Sequence, residues 1–553
     1  MTYAPAAATA TPPESLAPPL AAGRAGSPPR DWLMGRPGLV LDGLLLGLVL
    51  LVAIWMRARF LSAGVPAFVT PDSDDYLWPG YALASGLGFE PELRRTPLYS
   101  IFLAAVLAMG GNLATVVTVQ HGLGVMTAGL TYALGRAALG GGSSVWVLAG
   151  RGAGLLAGLM VALSGPLIVY EHYLMSESLF TLVLTLAMLV LVVALRRPTT
   201  RWLLAAGGAV ALGCLTRPIG QVAVPVAVSL PFMLALPAWK SGLRRAALLA
   251  LGLGIVMAPW TLRNLVIHGT PGAEGALGQA LIGRTVRHDK GYLYDDPAHP
   301  DPDPVRAGAR RIIQQETDGG EPSGGTITQR VRDELGLTQA QTSALLRDLA
   351  LSEIRERPGH YLETTGDMAW ELFQGRNERL LGNWRQRTTR NWDRKWDARL
   401  VALLDPDTPA EGDLYERADS VTSFYQPWRW RDSMSWLFGV GAVLAVAVPR
   451  LRPALAPAVT VLLLVVAAAA LDGLVWRFRY PADPAIAVVV AVGLVGPLAL
   501  AWTLVTRYRL WRAWLLPGRP GAGIAGDATE GNTDGSSAER GARGRRVDGI
   551  VSR

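Results

Sequence analysis

Long apolar blocks alternate with short polar connections along most of the chain. Each block has close to the ~20 residues that an α-helix needs to cross about 30 Å of hydrocarbon. The blocks lie near residues 39–56, 113–135, 152–170, 177–195, 201–216, 219–237, 243–262, 434–449, 453–471 and 484–506. The pattern therefore predicts an all-α polytopic membrane protein with about ten transmembrane helices.

Other segments depart from this pattern. The apolar run Pro97 to Met109 is too short to span comfortably, so we expect an interfacial or re-entrant helix there. Region 264–432 is hydrophilic and mixed in composition, with a helical pattern near 340–357. Because three apolar blocks follow this region, it is predicted to be an inserted domain. The small-residue runs "GLGVMTAG" and "GRGAGLLAG" predict close helix packing rather than cofactor binding.

Arginine and lysine are concentrated in alternate connections, which predicts the orientation of the helices. The basic connections contain Arg136 and Arg151, then Arg196, Arg197 and Arg201, then Lys240, Arg244 and Arg245, then Arg450 and Arg452, and finally Arg507, Arg509 and Arg512. Connections rich in Lys and Arg face the cytoplasm. Both tails are then inside, and region 264–432 and the segment 472–483 are outside. The exceptions on the outer side are Arg57, Arg59, Arg94 and Arg95.

The orientation and the pattern together predict the domain organisation. It comprises a disordered cytoplasmic tail (1–37), a transmembrane module (38–263) with its first outer loop (57–112), an extracytoplasmic domain (264–432), C-terminal transmembrane helices (433–506) and a second disordered cytoplasmic tail (507–553). Both tails lack apolar periodicity, as is typical of disordered segments.

Composition excludes several other classes of protein. Residues of hydrophobic type make up 50% of the chain, and 18 residues are Trp. Cys214 is the only cysteine, so an intrachain disulfide is excluded and a metal–thiolate site is not expected. The net charge of +8 comes from residues near the ends of apolar blocks, which favours contact with membrane lipid over nucleic acid. High Ala, Gly, Arg and Pro usage indicates a GC-rich bacterial genome, and hence a bacterial plasma membrane.

In this orientation, the unusual polar residues that border the helices gather on the outer face. They are Asp72, Asp74, Asp75, Arg94, Arg95, Glu171, His172, Glu177, Arg217, Arg263, Asn264, Arg477, Arg479 and Tyr480. Ionisable groups at membrane depth are costly and usually line a cavity with partners. A carboxylate that accepts a hydroxyl proton, beside arginines that hold a phosphate, suits transfer of a sugar from a lipid phosphate. The sequence has no convincing nucleotide-binding phosphate loop, which argues against a nucleotide-sugar enzyme.

Six short stretches, taken in order, resemble GT-C-type integral membrane glycosyltransferases, in particular the branch of protein O-mannosyltransferases and lipid A aminoarabinose transferases. They are "PDSDDYLWPGYALASG", "RRTPLYSIFLA", "PLIVYEHYLMSESLF", "LTRP", "APWTLRNLVIHGT" and "RFRYP". The resemblance covers residues 38 to 270 and 434 to 506. It implies a polyprenyl-phosphate-linked sugar donor and an acidic residue of the first outer loop as the catalytic base.

The resemblance also implies roles for single residues. Asp72 matches the aspartate of the family's Asp-Glu-x-x-Tyr pattern and is the expected general base, with Tyr76 at the tyrosine. Ser73 stands where the family has a second acid, so Asp75 is a candidate to replace it. The expected substrate-binding residues are Tyr76, Arg95, Glu177, Arg217, Arg263, Arg477, Arg479 and Tyr480. Of these, Arg217, Arg263, Arg477 and Arg479 are the candidates for binding phosphate, and Arg95 matches the family's basic residue ahead of the "PLY" helix.

Structural interpretations exist for the same residues. The aspartates and Glu177 could cap helices, and Arg217 and Arg263 could anchor helix ends at the interface. We expect His172 to be a hydrogen-bonded neighbour of Glu171 more than a metal ligand. A divalent cation near the carboxylates stays open, although the six histidines show no ligand spacing.

Two other functions compete with sugar transfer. A transporter or flippase would also place charges near the membrane, but it should show internal repeats and polar groups at the bilayer midplane. The sequence shows no repeat, and its charges lie at the ends of apolar blocks. A non-catalytic scaffold for envelope assembly is the second alternative. The expected partners of a transferase are a polyprenyl-phosphate sugar donor, a protein, lipid or glycan acceptor, and membrane lipid.

Overall fold

The computed structural model describes residues 35–62, 67–68, 70, 72–89, 95–236, 238–268, 276–289, 301–320, 323–375 and 431–515. The chain divides into two units, Met1–Trp502 and Thr503–Arg553. The candidate site and the contacts discussed below belong to the first unit. The described part of the second unit is helical.

The described residues fold mainly into α-helices. These are α1 (Arg36–Leu61), α2 (Asp74–Ala84), α3 (Pro97–Ala108), α4 (Leu113–Leu139), α5 (Ser144–Ala162), α6 (Gly165–Tyr170), α7 (Glu177–Arg196), α8 (Thr200–Thr216), α9 (Ala223–Met233), α10 (Trp239–His268), α11 (Ala276–His288), α12 (Pro304–Asp318), α13 (Gly324–Leu335), α14 (Gln339–Glu356), α15 (Pro358–Gln374), α16 (Arg431–Ala447), α17 (Leu455–Leu471) and α18 (Asp483–Leu515). Short 3-10 turns cover Pro218–Val222, Pro449–Ala454, Trp476–Phe478 and Tyr480–Ala482.

Each of the ten predicted apolar blocks contains helix, and seven helical stretches among the described residues are long and apolar enough to cross a membrane. The seven are Arg36–Leu61, Leu113–Leu139, Ser144–Ala162, Glu177–Arg196, Trp239–Ile267, Pro449–Leu471 and Tyr480–Arg509. Shorter apolar helices are Thr200–Thr216, Pro218–Met233, Asp432–Ala447 and, as the sequence predicts, Pro97–Ala108. The predicted fold class, an all-α polytopic membrane protein, is confirmed.

The bounds predicted for the block at 152–170 are wrong. The structure has two helices in this region, α5 and the short α6, and Ser164 between them has an extended backbone (φ −70°, ψ 103°). Pro166 has no N–H to continue α5, and it occupies the first turn of α6, where none is needed. Glu171 therefore follows a separate short helix and does not lie at the end of a membrane-spanning one.

Small residues let neighbouring helices approach closely. A Cβ atom on Gly154 of α5 would lie 2.6 Å from the carbonyl oxygen of Tyr132 in α4. A Cβ atom on Gly135 of α4 would lie 3.0 Å from the carbonyl oxygen of Ala153. Larger side chains would hold the two backbones apart at these positions. The prediction that "GRGAGLLAG" serves helix packing is thus confirmed.

The described part of region 264–432 is helical and contains α11 to α15. Helices α11 to α14 enclose an apolar core of their own, and α14 matches the helical pattern predicted near 340–357. The buried Arg284 of α11 donates a hydrogen bond to the carbonyl oxygen of Ala469 in α17 (2.9 Å), and Tyr361 of α15 donates one to that of Ala470 (2.6 Å). These bonds attach the helices of this region to the end of a membrane-spanning helix.

Charged side chains lie at both ends of α7. Its first residue, Glu177, pairs with Arg217 at the end of α8. Its last residue, Arg196, donates a hydrogen bond to the carbonyl oxygen of Ala138 at the end of α4 (2.7 Å). The 20 residues of α7 separate the two ends by about 30 Å at 1.5 Å per residue. The molecule therefore has two distinct polar sites, one at each end of this helix.

Candidate active site

The position of Asp72 is set by a short backbone pairing between two loops. The N–H of Phe68 donates to the carbonyl oxygen of His172 (2.8 Å), and that of Leu174 donates to the carbonyl oxygen of Phe68 (3.0 Å). Ser73 holds the next turn, since its hydroxyl accepts a hydrogen bond from the N–H of Thr70 (2.9 Å). Asp72 thus lies close to the start of α7.

Prolines fix the segments that supply the arginines. Pro97 occupies the first turn of α3, so Arg95 lies just before the helix begins. Arg217 has an extended backbone (φ −150°, ψ 140°) because the following Pro218 disfavours the helical conformation, and α8 ends there. Arg477 lies in the 3-10 turn that connects α17 to the segment before α18.

Asp72 pairs with two arginines from distant parts of the chain. Nη2 of Arg95 donates to its Oδ1 at 2.9 Å, and Nη1 of Arg477 donates to its Oδ2 at 2.6 Å. Nε of Arg95 also donates to Oδ2 of Asp75 at 3.1 Å. The side chains of Asp72, Arg95 and Arg477 are 33%, 25% and 28% exposed. The structure thus brings the predicted base and two predicted substrate-binding residues together in a site open to solvent.

The two arginines control the ionisation of Asp72. Burial acts to raise the pKa of this carboxyl, but the charges of Arg477 and Arg95 outweigh burial and lower its pKa to about 2. Against the effect of burial, Tyr76 and Asp72 raise the pKa of Arg95 above the ordinary arginine value. Asp72 and Glu177 do the same for the pKa of Arg477. Asp72 is therefore a carboxylate at neutral pH, but a weak base while both arginines contact it.

A second ion pair, between Arg217 and Glu177, is buried near Asp72. Nη1 of Arg217 is 2.5 Å from Oε1 of Glu177, and both side chains are buried. The guanidinium of Arg217 also lies 4.9 Å from the ring centroid of Phe478, next to Arg477. Arg217 acts on the ionisation of Asp72 as well. This pair contributes to the field of the site from a position with little access to solvent.

Tyr76 connects the first loop to the start of α7. Its hydroxyl lies 3.1 Å from the hydroxyl of Ser176, and the guanidinium of Arg95 lies 5.6 Å from its ring centroid. The ring of Tyr76 also packs edge-on against Tyr99 of α3, at 5.2 Å between centroids. Tyr76 therefore positions Arg95, and through Arg95 it influences Asp72.

Three other predicted substrate-binding residues lie in different surroundings. Arg479 is buried and forms an ion pair with Asp483, one helical turn along the chain. The buried ring of Tyr480 packs on that of Tyr170, with centroids 4.9 Å apart. Arg263 lies 4.7 Å from the ring centroid of Trp260 and donates a hydrogen bond to Asn264 (3.1 Å). Their predicted roles in binding stay predictions. Arg94 and the side chain of Asp74 lie outside the described residues.

A buried network that the sequence did not predict adjoins the site. Arg57, an exception to the predicted orientation, donates two hydrogen bonds to the carboxylate of Glu171 (2.9 and 2.5 Å). His121 Nδ1 lies 2.7 Å from the same carboxylate, and its Nε2 lies 3.1 Å from Nε2 of His172. Gly124 of the "GLGVMTAG" run faces this ion pair, where any Cβ atom would collide with Glu171. The pairing joins residues 114 positions apart, which local sequence patterns cannot predict.

Asp472 is a further carboxyl that the sequence analysis did not single out. It ends α17, and burial raises its pKa, although Arg477, Arg217 and Arg95 act in the opposite direction. The negative charge of Asp72 also acts to raise the pKa of Asp472. The only sequence signal was its position directly after a long apolar run, at the end of a predicted helix.

The described residues contain no group of three or more His, Cys, Asp or Glu side chains arranged to hold a metal ion. Asp72 and Asp75, two of the carboxylates near which the sequence left a divalent cation open, accept hydrogen bonds from arginines. The guanidinium groups around these carboxylates can also bind other anions.

Comparison with known proteins finds one family model that is similar to part of the chain. Residues 137–268 match the family described as dolichyl-phosphate-mannose-protein mannosyltransferase. This match confirms the predicted resemblance to GT-C-type membrane glycosyltransferases, and with it the predicted enzyme class. The matched residues include Glu177, Arg217 and Arg263, whereas Asp72 and Arg477 lie outside them.

Similarity to individual proteins is weaker. No curated protein matches the chain. Among solved structures, the crystal structure of ArnT from Cupriavidus metallidurans bound to undecaprenyl phosphate is 12% identical, with 84% of this chain and 79% of that chain covered and a TM-score of 0.34. The crystal structure of ArnT from Cupriavidus metallidurans in the apo state is 16% identical, with 83% and 78% covered and a TM-score of 0.33. At these values we transfer no site residue from either structure.

Proposed function

We propose that this protein transfers a sugar from a polyprenyl-phosphate-linked donor to an acceptor hydroxyl, at the outer face of the membrane. The observation that supports this most is the pairing of Asp72 with Arg95 and Arg477 in a site open to solvent. The matched family takes its name from transfer of mannose from dolichyl phosphate, which is a polyprenyl phosphate, and this supports the donor class.

The first step we propose is exchange of partners by the arginines. A phosphate accepts two parallel hydrogen bonds from a guanidinium, as a carboxylate does, so the donor's phosphate can compete with Asp72 for Arg95 and Arg477. Both arginine side chains are about a quarter exposed, so an incoming ligand can reach them. When they turn towards the phosphate, the pKa of Asp72 rises towards the ordinary aspartate value.

The second step is the transfer itself. Asp72 accepts the proton of the acceptor hydroxyl as the hydroxyl oxygen attacks the anomeric carbon of the sugar. The bond between this carbon and the phosphate oxygen breaks, and the polyprenyl phosphate leaves with the electron pair. Arg95 and Arg477 stabilise the charge that develops on the leaving phosphate. Attack on the face opposite the leaving group inverts the anomeric configuration.

Glu177 and Arg217 contribute to the electrostatic field of this site. Their buried ion pair keeps a positive guanidinium near Phe478 and Arg477 without adding net charge. Asp472 lies near the same arginines, and it is the second carboxyl that could accept a proton once a phosphate occupies the site. The acceptor could be a protein, a lipid or a glycan, since any of these offers a hydroxyl.

The outer-face assignment is supported by the distribution of charge. The other end of α7 is where the structure gathers Arg136, Arg151 and Arg196, and basic helix ends usually face the cytoplasm. Cysteine substitutions with a membrane-impermeant thiol reagent can test the orientation, with Cys214 replaced by Ser. Reagent added outside the cell should label a cysteine at Ser85 and should not label one at Thr199.

The activity is tested by incubating the purified protein with a panel of radiolabelled polyprenyl phosphate sugars and envelope extract. Wild type should transfer one of the sugars, and Asp72→Asn should transfer it at least about 10²-fold more slowly. Asp348→Asn makes the same chemical change at an exposed aspartate of α14 and should have no effect. Equal transfer by wild type and Asp72→Asn would contradict the assignment, and no transfer from any donor would favour the transporter or the scaffold.

A further inference from the structure

A cavity of about 500 Å³ lies at the end of α7 opposite the candidate active site. Its lining includes four arginines and one aspartate, namely Arg136, Arg151, Arg196, Arg197 and Asp42. The charged groups in this lining therefore have a formal excess of three positive charges. A concave surface with this balance attracts and concentrates anions.

Asp42 cannot neutralise all of these arginines, because two of them already occupy it. Its Oδ1 accepts hydrogen bonds from Nε of Arg136 (2.8 Å) and Nε of Arg151 (2.9 Å). Its Oδ2 accepts from Nη2 of Arg136 (2.6 Å) and Nη2 of Arg151 (3.2 Å), and the hydroxyl of Tyr132 donates a further bond to Oδ1 at 3.2 Å. A carboxylate has about four acceptor positions, so Asp42 has no capacity left for Arg196 and Arg197.

Arg196, which lines the cavity, keeps unused hydrogen-bonding capacity. Its Nη2 donates to the carbonyl oxygen of Ala138, while its buried Nε has no hydrogen-bond partner among the residues that the structure describes. Arg450 lies close enough for the two positive charges to repel each other. Buried donors are normally paired, and like charges need a counter-ion. An anion bound here would accept a hydrogen bond from Nε of Arg196 and would reduce the repulsion between Arg196 and Arg450.

The residues around the cavity suit a membrane lipid better than a soluble anion. The cavity lies at the ends of membrane-spanning helices, and apolar side chains of Leu39, Val147 and Trp202 line it beside the arginines. Leu39 is 67% exposed. A ligand with both a phosphate and an apolar chain fits this combination, because the phosphate can contact the arginines while the chain runs along the apolar residues.

We propose that this cavity binds the phosphate of an anionic membrane lipid, with Arg196 and Arg197 as the principal contacts. Arginine is suited to this role because its planar guanidinium donates two parallel hydrogen bonds to a phosphate. The site is separate from the proposed transfer reaction and requires neither Asp72 nor a sugar donor. Its occupancy would stabilise the ends of α4 and α7, which Arg196 already joins.

The test is native mass spectrometry of the delipidated full chain in detergent, with added dioleoylphosphatidylglycerol. Wild type should bind this lipid at least about tenfold more tightly than Arg196→Gln/Arg197→Gln. Arg197→Gln alone should bind several-fold more weakly, and because Arg197 is exposed this variant keeps the test valid if the double variant folds poorly. Arg244→Gln, an exposed arginine of α10 outside the cavity, should bind like wild type.

Two competitors distinguish the sources of the phosphate. Dioleoylphosphatidylcholine, which has the same chains but no net charge, should bind at least several-fold more weakly than dioleoylphosphatidylglycerol. Inorganic phosphate at millimolar concentration should not displace the anionic lipid; displacement would assign the site to a free anion and overturn the lipid assignment. Equal losses in Arg244→Gln and in the Arg196 and Arg197 variants would show only general attraction to basic surfaces, and would overturn the proposal.

Discussion

Asp42 and Asp72 each pair with two arginines, but the two sites differ in how they are built. Asp42 lies within α1 and pairs with Arg136 of α4 and Arg151 of α5, which are neighbouring packed helices. The side chains of Arg151 and Asp42 are 2% and 16% exposed, whereas that of Arg136, at the rim of this site, is 40% exposed. Asp72 lies in a loop, and its partners come from another loop and from a turn 405 positions later in the chain. About a quarter or more of each side chain in the Asp72 site is exposed.

The difference separates a structural ion pair from a site that can exchange partners. At Asp42, breaking the contacts would leave a guanidinium buried between helices, which is costly. At Asp72, the arginines can turn to another anion without losing contact with water, so exchange costs little. Burial and anchoring, rather than the number of charges, therefore distinguish the two aspartates.

The largest effect on stability should come from Asp42→Asn. It removes the shared partner of Arg136 and Arg151 and leaves Arg151 buried, so we expect a loss of about 3 to 5 kcal/mol in the free energy of unfolding. Thermal unfolding of the purified protein in detergent measures this as a lower midpoint. Asp72→Asn should change the free energy of unfolding by about 1 kcal/mol or less. A larger loss in Asp72→Asn than in Asp42→Asn would reverse the comparison.

Glu177→Gln tests whether burial or location decides the outcome. Glu177 is at the same end of the molecule as Asp72, yet its ion pair with Arg217 is buried like that of Asp42. We expect it to lose about 3 kcal/mol in the free energy of unfolding, together with reduced transfer. The double variant Glu177→Gln/Arg217→Gln removes both charges of the pair and should recover part of the lost stability. A midpoint unchanged from wild type would show that burial does not govern this pair.

Arg477→Gln should change the pH dependence of transfer. Burial acts to raise the pKa of Asp72, and Arg477 is the strongest of the groups that lower it to about 2. Without Arg477 this pKa rises, so Asp72 becomes protonated at a higher pH and the acid limb of kcat/KM should move up by about 1 pH unit. Arg347→Gln, at an exposed arginine of α14, is the matched control and should leave the limb in place. If Arg477→Gln and Arg347→Gln had the same pH profile, the result would contradict the assignment of Asp72 as the base of the reaction.

Arg263→Gln should have the smallest effect. Its guanidinium lies over Trp260 and donates to Asn264, contacts that suit anchoring of α10 at the interface. We expect transfer to change by less than about twofold and the free energy of unfolding by less than about 0.5 kcal/mol. A tenfold rise in KM for the donor would instead place Arg263 among the phosphate-binding residues.

The sequence predicted the fold class because apolar blocks of membrane-spanning length leave few alternatives. It failed at 152–170, where Pro166 divides an apolar run that hydropathy alone treats as continuous. The sequence predicted that Asp72, Arg95 and Arg477 lie on one face, because the predicted helix count and orientation place the ends of distant helices on the same side.

Pairings across the sequence were beyond such reasoning. Arg57 stood only as an exception to the charge pattern, and its partner Glu171 was noted for its position and not for this contact. Asp42 was a single charge inside the first apolar block, and nothing local indicates that Arg136 and Arg151 would meet it. Such contacts depend on how helices rotate about their axes, which small differences in packing decide.

The most direct test measures transfer per folded molecule for wild type, Asp72→Asn and Asp42→Asn side by side. Folded protein is counted from the thermal unfolding signal, so loss of stability and loss of chemistry are separated. We predict that Asp72→Asn stays folded but loses transfer by about 10³-fold, whereas the folded fraction of Asp42→Asn transfers at close to the wild-type rate. Transfer by folded Asp72→Asn at the wild-type rate would contradict the assignment of Asp72 as the base.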